Sequence, residues 1–108
     1  MRRAIALLLL TGLACSAKAG DAEIEQLQTM LLRNNCTACH MIDKRKYGPK
    51  MTEVAEKYAD EKGAAEKLAK KIRAGGTGVW GEDVMPPQAQ VSAADALKIA
   101  KLVLSLKQ

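Results

Sequence analysis

Two cysteines and a histidine are spaced so that they could act together. Cys36 and Cys39 are three positions apart, and His40 follows at once. In a helical turn this spacing places both thiols and the imidazole on one side of the chain. Thiols can add to the two vinyl groups of a haem to form thioether bonds, and an imidazole beside them can bind the iron. The pattern Cys-x-x-Cys-His therefore indicates an attachment site for a c-type haem.

These cysteines could instead serve one of two other purposes. A dithiol redox pair is expected to open a helix within a βαβ unit, and no strand-like run precedes Cys36. A structural zinc site needs four ligands, whereas the chain has three Cys and one His, and Cys15 lies in a segment that is predicted below to be removed. Haem attachment is the favoured interpretation, and the redox pair is the alternative.

A second axial ligand to the iron is predicted at Met85. In electron-transfer proteins, iron that is bound by His on one side commonly takes Met on the other. Met85 lies 45 positions after His40, enough chain to pass around a macrocycle, and Pro86-Pro87 restricts its backbone. The remaining methionines lie in the leader, on predicted helices or directly beside His40: Met1, Met30, Met41 and Met51. The alternative role for Met85 is to fill a gap in the core.

Three further residues are candidate contacts of the haem or of its ligands. A metal-bound His normally donates its second ring N–H to a carbonyl, and Pro49 keeps its C=O, although it could equally be a simple turn residue. The indole N–H of Trp80 could serve a haem propionate, or the ring could merely cover apolar surface. Lys71, or the neighbouring Arg73, could also meet a propionate, although most lysines of this helix are expected to face solvent.

The first 19 residues are predicted to form a cleaved signal peptide. A positive start, Arg2-Arg3, precedes a short apolar run, and Ala17-Lys18-Ala19 has the small-x-small pattern of a signal peptidase site. Cleavage is expected before Gly20. The run is shorter than the about 20 residues of a spanning helix, so we expect an exported protein that is not inserted in a membrane. The alternative is a lipoprotein anchored through Cys15.

Residues 20–108 are predicted to form one small domain. The full chain has a net charge of +5, but beyond the leader 14 basic residues face 12 acidic ones, a net charge of +2. With one Trp, two Tyr and no Phe, aromatic side chains do not alternate with basic ones, so nucleic-acid binding is not expected. A domain with so few aromatic residues has a modest core. Folding is therefore expected to depend on haem attachment.

Apolar residues at helical spacing predict the elements that position these side chains. A first helix from Asp21 to about Asn34 leads to Cys36, and Leu32 broadens its apolar stripe of Ile24, Leu27 and Leu31. Two more helices carry the apolar faces Met51, Val54, Ala55 and Tyr58, and then Ala64, Ala65, Leu68, Ala69 and Ile72. A last helix starts at Ser92, which forms an approximate capping box with Asp95. It is expected to pack on the first helix and to close the haem pocket.

Residues 75–87 contain four glycines and two prolines and are predicted to form a defined loop. The Gly-Gly-x-Gly spacing follows a helix here, whereas a phosphate-binding loop follows a strand and leads into a helix. Nucleotide binding is rejected on that basis. The loop is expected instead to present Trp80 and Met85.

The early Cys-x-x-Cys-His, Gly48-Pro49, Val79-Trp80-Gly81 and Met85-Pro86-Pro87 occur together with a leader and a C-terminal helix. In these features residues 20–108 resemble the small bacterial class I c-type cytochromes that donate electrons to nitrite reductase and terminal oxidases. The resemblance implies an all-α fold of four to five helices around one covalently attached haem. It implies as site residues the axial ligands His40 and Met85, Pro49 bound to His40, and Trp80 and Lys71 near the propionates. Members often have Asn at position 88 and Trp at position 102, where this chain has Gln88 and Leu102; the first departure bears on the orientation of Met85.

The resemblance implies a periplasmic one-electron carrier with haem c bound through Cys36 and Cys39, not an enzyme. Its expected partners are redox proteins, such as a cytochrome bc complex, a nitrite reductase or a cytochrome oxidase, and we expect a monomer. The basic residues Lys44, Arg45, Lys46 and Lys50 are expected to speed encounters with an acidic partner, with solubility as the alternative. Two other functions remain open: an enzyme or gas sensor with an open iron position, and a structural haem domain of a larger complex.

Overall fold

A computed structural model describes residue 12 and residues 20–107, and within these residues the fold is helical. The helices are α1 (Asp21–Arg33), a short 3-10 helix (Cys36–Ala38), α2 (Met51–Lys57), α3 (Ala64–Ala74) and α4 (Ala93–Leu104). The described residues form no β-strand, and one isolated antiparallel bridge joins Gly76 to Met85. The predicted all-α fold is confirmed. The predicted signal peptide and the Cys15 alternative lie outside the described residues.

Helix α1 buries the stripe that its apolar spacing predicts, with one exception. Leu27 and Leu31 are buried, and Ile24 packs half-buried against the core. The prediction that Leu32 broadens this stripe is wrong, because its side chain is 68% exposed. Successive residues of a helix point about 100° apart, so Leu32 turns away from the face that Leu31 buries.

Helix α4 is the central element of the core. It packs against α1, α2 and α3. The predicted contact with α1 is therefore confirmed, and the contacts with α2 and α3 were not predicted. The hydroxyl of Ser92 accepts the backbone N–H of Asp95 at 3.0 Å, which caps the start of the helix. This is one of the two hydrogen bonds of the predicted capping box; within the described residues the Asp95 carboxylate does not accept the Ser92 N–H in return. The buried residues of α4 are Ala96, Ile99, Ala100, Leu102 and Val103.

Helices α2 and α3 bury their apolar faces to different depths. The predicted face of α2 is fully buried, from Met51 to Tyr58. On α3 only Ala64 is buried, while Leu68 and Ile72 are half-buried, because this face of α3 borders the cavity described below. Within residues 20–107, none of the helices has the length and apolar character that a membrane crossing requires.

Candidate functional site

An apolar cavity of about 360 Å³ opens between the four helices and the loops that precede α2 and follow α3. Its wall contains side chains from every helix. All seven site residues predicted from the sequence line this one cavity: Cys36, Cys39, His40, Pro49, Lys71, Trp80 and Met85. Residues from 36 to 85 are therefore brought to a single place. Arg73, the alternative cation, points elsewhere and donates its Nε–H to the Val91 carbonyl at 3.0 Å.

The two cysteines lie in a tight turn that is separate from α1. Asn35 has a left-handed backbone with a φ of 61°, a conformation that Asn tolerates better than most residues, and it ends the run of α1. The N–H groups of Cys39 and His40 then both donate to the Cys36 carbonyl, at 3.1 and 2.9 Å. Neither thiol is in a disulfide, and both are half-buried. This turn brings both thiols and the imidazole to the cavity.

Burial also affects the ionisation of Cys36. Desolvation raises the pKa of its thiol, a backbone hydrogen bond lowers the pKa by less, and the nearby Cys39 raises it further. The net shift is upward, so Cys36 remains a neutral thiol at pH 7. As a neutral thiol, Cys36 can lie against the apolar wall without the cost of a buried charge.

His40 is oriented by a hydrogen bond to the loop before α2. Its Nδ1 lies 2.9 Å from the carbonyl oxygen of the buried Pro49. Because a carbonyl oxygen can only accept, the proton of the neutral ring must be on Nδ1. The lone pair of Nε2 is then left available for a metal ion.

Gly48 is a site residue that sequence reasoning assigned only to a turn. A Cβ built on Gly48 would lie 2.8 Å from Nδ1 of His40, closer than real Cβ contacts, and 3.0 Å from Nε2, tighter than most of them. Its N–H also donates to the Cys39 carbonyl at 2.9 Å. Gly48 therefore leaves the space in which the His40 ring lies. The sequence signal for this role was the pair Gly48-Pro49, since a glycine lets another side chain approach the backbone closely as well as allowing a turn.

Met85 is held at the cavity by its backbone. The N–H and C=O of Met85 pair with the C=O and N–H of Gly76, at 2.8 and 2.9 Å. Gly75, with a φ of +69°, packs so closely on this segment that an added Cβ would lie 2.8 Å from both Pro86 C and Pro87 N. The loop after α3 thus returns to its own start and presents Met85 to the cavity.

The other methionines of the described residues are placed differently. Met30 and Met41 do not line the cavity, and Met41 is 39% exposed. Met51 lines it but belongs to the buried core, two residues after the proline that contacts His40. Met85 is therefore the methionine that enters the cavity from the loop after α3.

Two hydrogen-bond donors lie on the wall of the cavity. Trp80 is half-buried and packs against the core, and the Nζ of Lys57 lies 5.5 Å from the centre of its ring. Lys71 extends along Gly76, and its side chain is exposed. Within residues 20–107, neither the indole N–H of Trp80 nor the ammonium of Lys71 donates to another residue. Both are free to meet an anionic group.

Gln88, the departure from the expected Asn, is bound to the backbone beyond Met85. Its Nε2 donates to the Pro86 carbonyl at 2.9 Å, and its Oε1 accepts from Gln90 at 2.7 Å. Its backbone N–H donates to the Ile72 carbonyl at 3.2 Å. Gln88 therefore fixes the turn that follows Met85 to the end of α3.

These residues fit a covalently bound haem. Two free thiols, an imidazole with an available nitrogen and a thioether all line one apolar cavity. A family model described as cytochrome c matches residues 24–107. The chain belongs to the cytochrome c family. Membership implies one covalently bound haem c, and Cys36 and Cys39 are the cysteines of its attachment motif.

Known members of the family support this assignment over most of the chain. The chain is 48% identical to cytochrome c-552 of Nitrosomonas europaea over 75 residues, which cover 69% of this chain and 73% of that one. It is 44% identical to cytochrome c-551 of Pseudomonas aeruginosa over 102 residues, 93% of this chain and 92% of that one.

Solved structures give the same result for the fold. The crystal structure of the Nitrosomonas europaea cytochrome matches with a TM-score of 0.72 at 45% identity, over 74% of this chain and 99% of that one. The class 1 cytochrome MtoD of Sideroxydans lithotrophicus matches with a TM-score of 0.62 at 27% identity, over 79% and 97%. This cytochrome therefore has the small class I fold, and it is a haem c electron carrier.

Proposed function

We propose that this cytochrome is an exported one-electron carrier, not an enzyme, in which His40 and Met85 bind the iron from opposite sides. The observation that carries the proposal is that both side chains line one apolar cavity while different loops hold them. Pro49 fixes His40, and Gly76 fixes Met85. The haem supplies the couple between Fe(III) and Fe(II). With protein ligands on both sides, no iron position is left for a substrate.

The surrounding residues support this role in separate ways. The hydrogen bond from His40 Nδ1 to Pro49 raises the basicity of Nε2 and fixes the ring. A thioether ligand favours the reduced iron, and apolar surroundings raise the reduction potential further. We assign Trp80 and Lys71 to the propionates, because both donors lie on the cavity wall without an acceptor in the described part of the chain.

We further propose that the protein is a periplasmic monomer released from a leader before Gly20. The match to the Pseudomonas aeruginosa relative covers 93% of this chain, more than residues 20–108 comprise, so the similarity continues into the proposed leader. Mass spectrometry of the mature N-terminus distinguishes Gly20 from a lipid-modified Cys15. As redox partners we propose a cytochrome bc complex as donor and a nitrite reductase or a cytochrome oxidase as acceptor.

The basic residues near the thioethers fall into two groups, which refines the proposed encounter surface. Arg45 donates to the Trp80 carbonyl, and Lys46 donates to the Thr37 carbonyl at 3.2 Å. Lys44 and Lys50 make no side-chain hydrogen bond to another residue of the described range. A carbonyl leaves the charge of Lys46 in place, whereas Arg45 is also paired with the Glu53 carboxylate. We therefore assign attraction of an acidic partner mainly to Lys44, Lys46 and Lys50.

The ligand assignment is tested by comparing Met85→Ala with two matched variants, Met41→Ala outside the cavity and Met51→Leu in its wall. In the oxidised wild type and in both controls we expect a low-spin spectrum with a Met-to-iron charge-transfer band. Met85→Ala should lose the band, become high-spin or bind added cyanide readily, and have a lower reduction potential.

Two results would contradict the proposal. A high-spin spectrum of the oxidised wild type would indicate an open iron position and favour an enzyme or a gas sensor. A charge-transfer band that survives in Met85→Ala but disappears in Met51→Leu would move the second ligand to Met51.

A further inference from the structure

Arg45 lies in the loop between His40 and α2 and reaches the loop on the other side of the cavity. Its Nη2 donates to the carbonyl oxygen of Trp80, 35 residues further along the chain, and its Nη1 lies 3.4 Å from Oε2 of Glu53 in α2. We propose that Arg45 is a positioning residue. It ties the loop 75–87 to α2 and to the loop of His40, and thereby keeps Met85 at the cavity.

The carbonyl that Arg45 binds is presented by a tight turn. The Gly78 N–H donates to the Gly81 carbonyl at 3.0 Å, so Trp80 lies inside a closed turn. Gly81 has a φ of +123°, and a Cβ there would lie 4.0 Å from Nη2 of Arg45. A Cβ at that distance would make only an ordinary van der Waals contact, so it is the positive φ of this turn that favours glycine at position 81.

The hydrogen bond from Arg45 to the Trp80 carbonyl also restrains Met85, because further hydrogen bonds connect the two residues within the loop. The hydroxyl of Thr77 donates to the Glu82 carbonyl at 3.1 Å, which joins the two arms of the loop below the turn. The pair of backbone hydrogen bonds between Gly76 and Met85 closes its base. The loop is therefore cross-linked along its length, and displacement of the turn pulls on the segment that carries Met85.

The chemistry of arginine suits this task better than that of lysine. A planar guanidinium presents several N–H groups in a fixed fork, so it can serve the Trp80 carbonyl and the Glu53 carboxylate at the same time. The two side chains of the ion pair remain 49% and 35% exposed, so the ion pair by itself adds little to global stability. The expected role of Arg45 is therefore local, at the loop that carries Met85.

Hydrogen exchange of the haem-loaded protein tests the proposal directly. Exchange rates of the Met85 and Gly78 amides are measured by NMR in the wild type, Arg45→Gln, Arg45→Lys and the charge-matched control Lys44→Gln. In Arg45→Gln these amides should exchange about threefold to tenfold faster, as expected for the loss of a half-exposed charge-assisted hydrogen bond. Arg45→Lys should give an intermediate increase, and Lys44→Gln should give none.

The outcomes separate positioning from simple charge loss. Equal exchange rates in Arg45→Gln and Lys44→Gln would overturn the proposal. So would faster exchange of amides in α4 by the same factor, because that would indicate global destabilisation instead of opening of one loop.

A second measurement links the loop to the iron. Cyanide can bind the oxidised iron only when Met85 leaves, so Arg45→Gln should speed cyanide binding by a factor similar to that for amide exchange, while Lys44→Gln should not. This readout alone rests on the proposed ligation by Met85. If the oxidised wild type proves high-spin, that ligation fails, whereas the exchange rates still test Arg45.

Discussion

At the residue scale, the properties of His40 depend on two neighbours that act in opposite ways. Pro49 contributes an acceptor, which holds the proton on Nδ1. Gly48 leaves space for the imidazole ring, because its Cα faces the ring and carries no side chain. The ring is therefore fixed by a hydrogen bond on one edge and by close contact along another.

We predict that Gly48→Ala destabilises the fold and displaces His40, the proposed iron ligand. The new Cβ would lie 2.8 Å from Nδ1 of His40, so the ring must shift and the hydrogen bond to Pro49 must lengthen. We expect the free energy of unfolding to fall by about 1–3 kcal/mol, the usual cost of overpacking, when it is measured with denaturant. The spectrum of the haem should change as well.

Gly63→Ala is the matched control for this prediction. Gly63 has a φ of +74°, but a Cβ there meets no atom within 4 Å. Gly63→Ala should lower the free energy of unfolding by only about 1–2 kcal/mol, the cost of a positive φ at alanine, and should leave the haem spectrum unchanged. If Gly48→Ala also left the spectrum unchanged, the close contact with His40 would be of no consequence for the ligand.

At the element scale, the loop after α3 is organised by the way that helix ends. Gly75 follows Ala74, the last residue of α3, with a φ of +69° and a ψ of −164°, and its N–H donates to the Lys71 carbonyl at 2.8 Å. This extended conformation with positive φ is essentially restricted to glycine, and it sends the chain back along its own later segment. The bridge between Gly76 and Met85 is the result. The end of α3 thus determines where Met85 lies.

We therefore predict a large effect for Gly75→Ala. Its Cβ would meet the Met85 carbonyl and lie 2.8 Å from two backbone atoms of the following prolines, which cannot move aside as a side-chain end can. Adding the backbone strain, we expect a loss of about 2–5 kcal/mol in the free energy of unfolding. The Met-to-iron band should weaken below the unfolding transition, as followed by absorbance and circular dichroism.

Gly78→Ala, in the same loop, separates strain from contact. Gly78 has a φ of +92° and open space at its Cβ position, so this change carries backbone strain without a clash. It should leave the Met-to-iron band in place. Equal weakening of the band in both variants would show that the contact between Gly75 and the Met85 segment is not what holds the ligand.

At the scale of the whole molecule, a haem bound in the cavity would complete the core. Apolar residues from all four helices face a cavity of about 360 Å³. With a cavity cost of about 24 cal/mol per Å³, a void of this size would cost an amount comparable with the ~5–15 kcal/mol that stabilises a typical domain. Since the cavity is partly open to solvent, this is an upper limit.

We predict that the chain does not fold stably without haem. The double variant Cys36→Ala and Cys39→Ala, freed of haem, should show little helical signal by circular dichroism at 25 °C and no cooperative thermal transition. Addition of haem to this variant should restore helicity by non-covalent binding, which controls for the effect of the substitutions themselves. A haem-free variant that unfolds cooperatively would indicate that the helices form a sufficient core without it.

The elements were predictable where the signal is local. The apolar stripes of α1 and α2, the cap at Ser92 and the glycine-rich loop all follow from short-range spacing and were confirmed. The burial of Leu32 was predicted wrongly. The spacing of apolar residues within one helix does not determine how much of its surface the neighbouring helices cover. That α4 contacts all three other helices was not predictable from its own sequence.

By itself, the sequence determined the haem attachment motif. Cys36, Cys39 and His40 lie within five residues, so their joint use follows from local chain geometry, and Met85 was predicted as a ligand from its distance along the chain and its prolines. Only the tertiary structure revealed the contacts of Gly48 and Arg45, which the sequence predicted to be a turn residue and a charge for partner encounter. The physical reason is that both are contacts between separate segments: free space beside an imidazole ring, and a carbonyl 35 residues away. Neither contact leaves a periodic trace in the sequence.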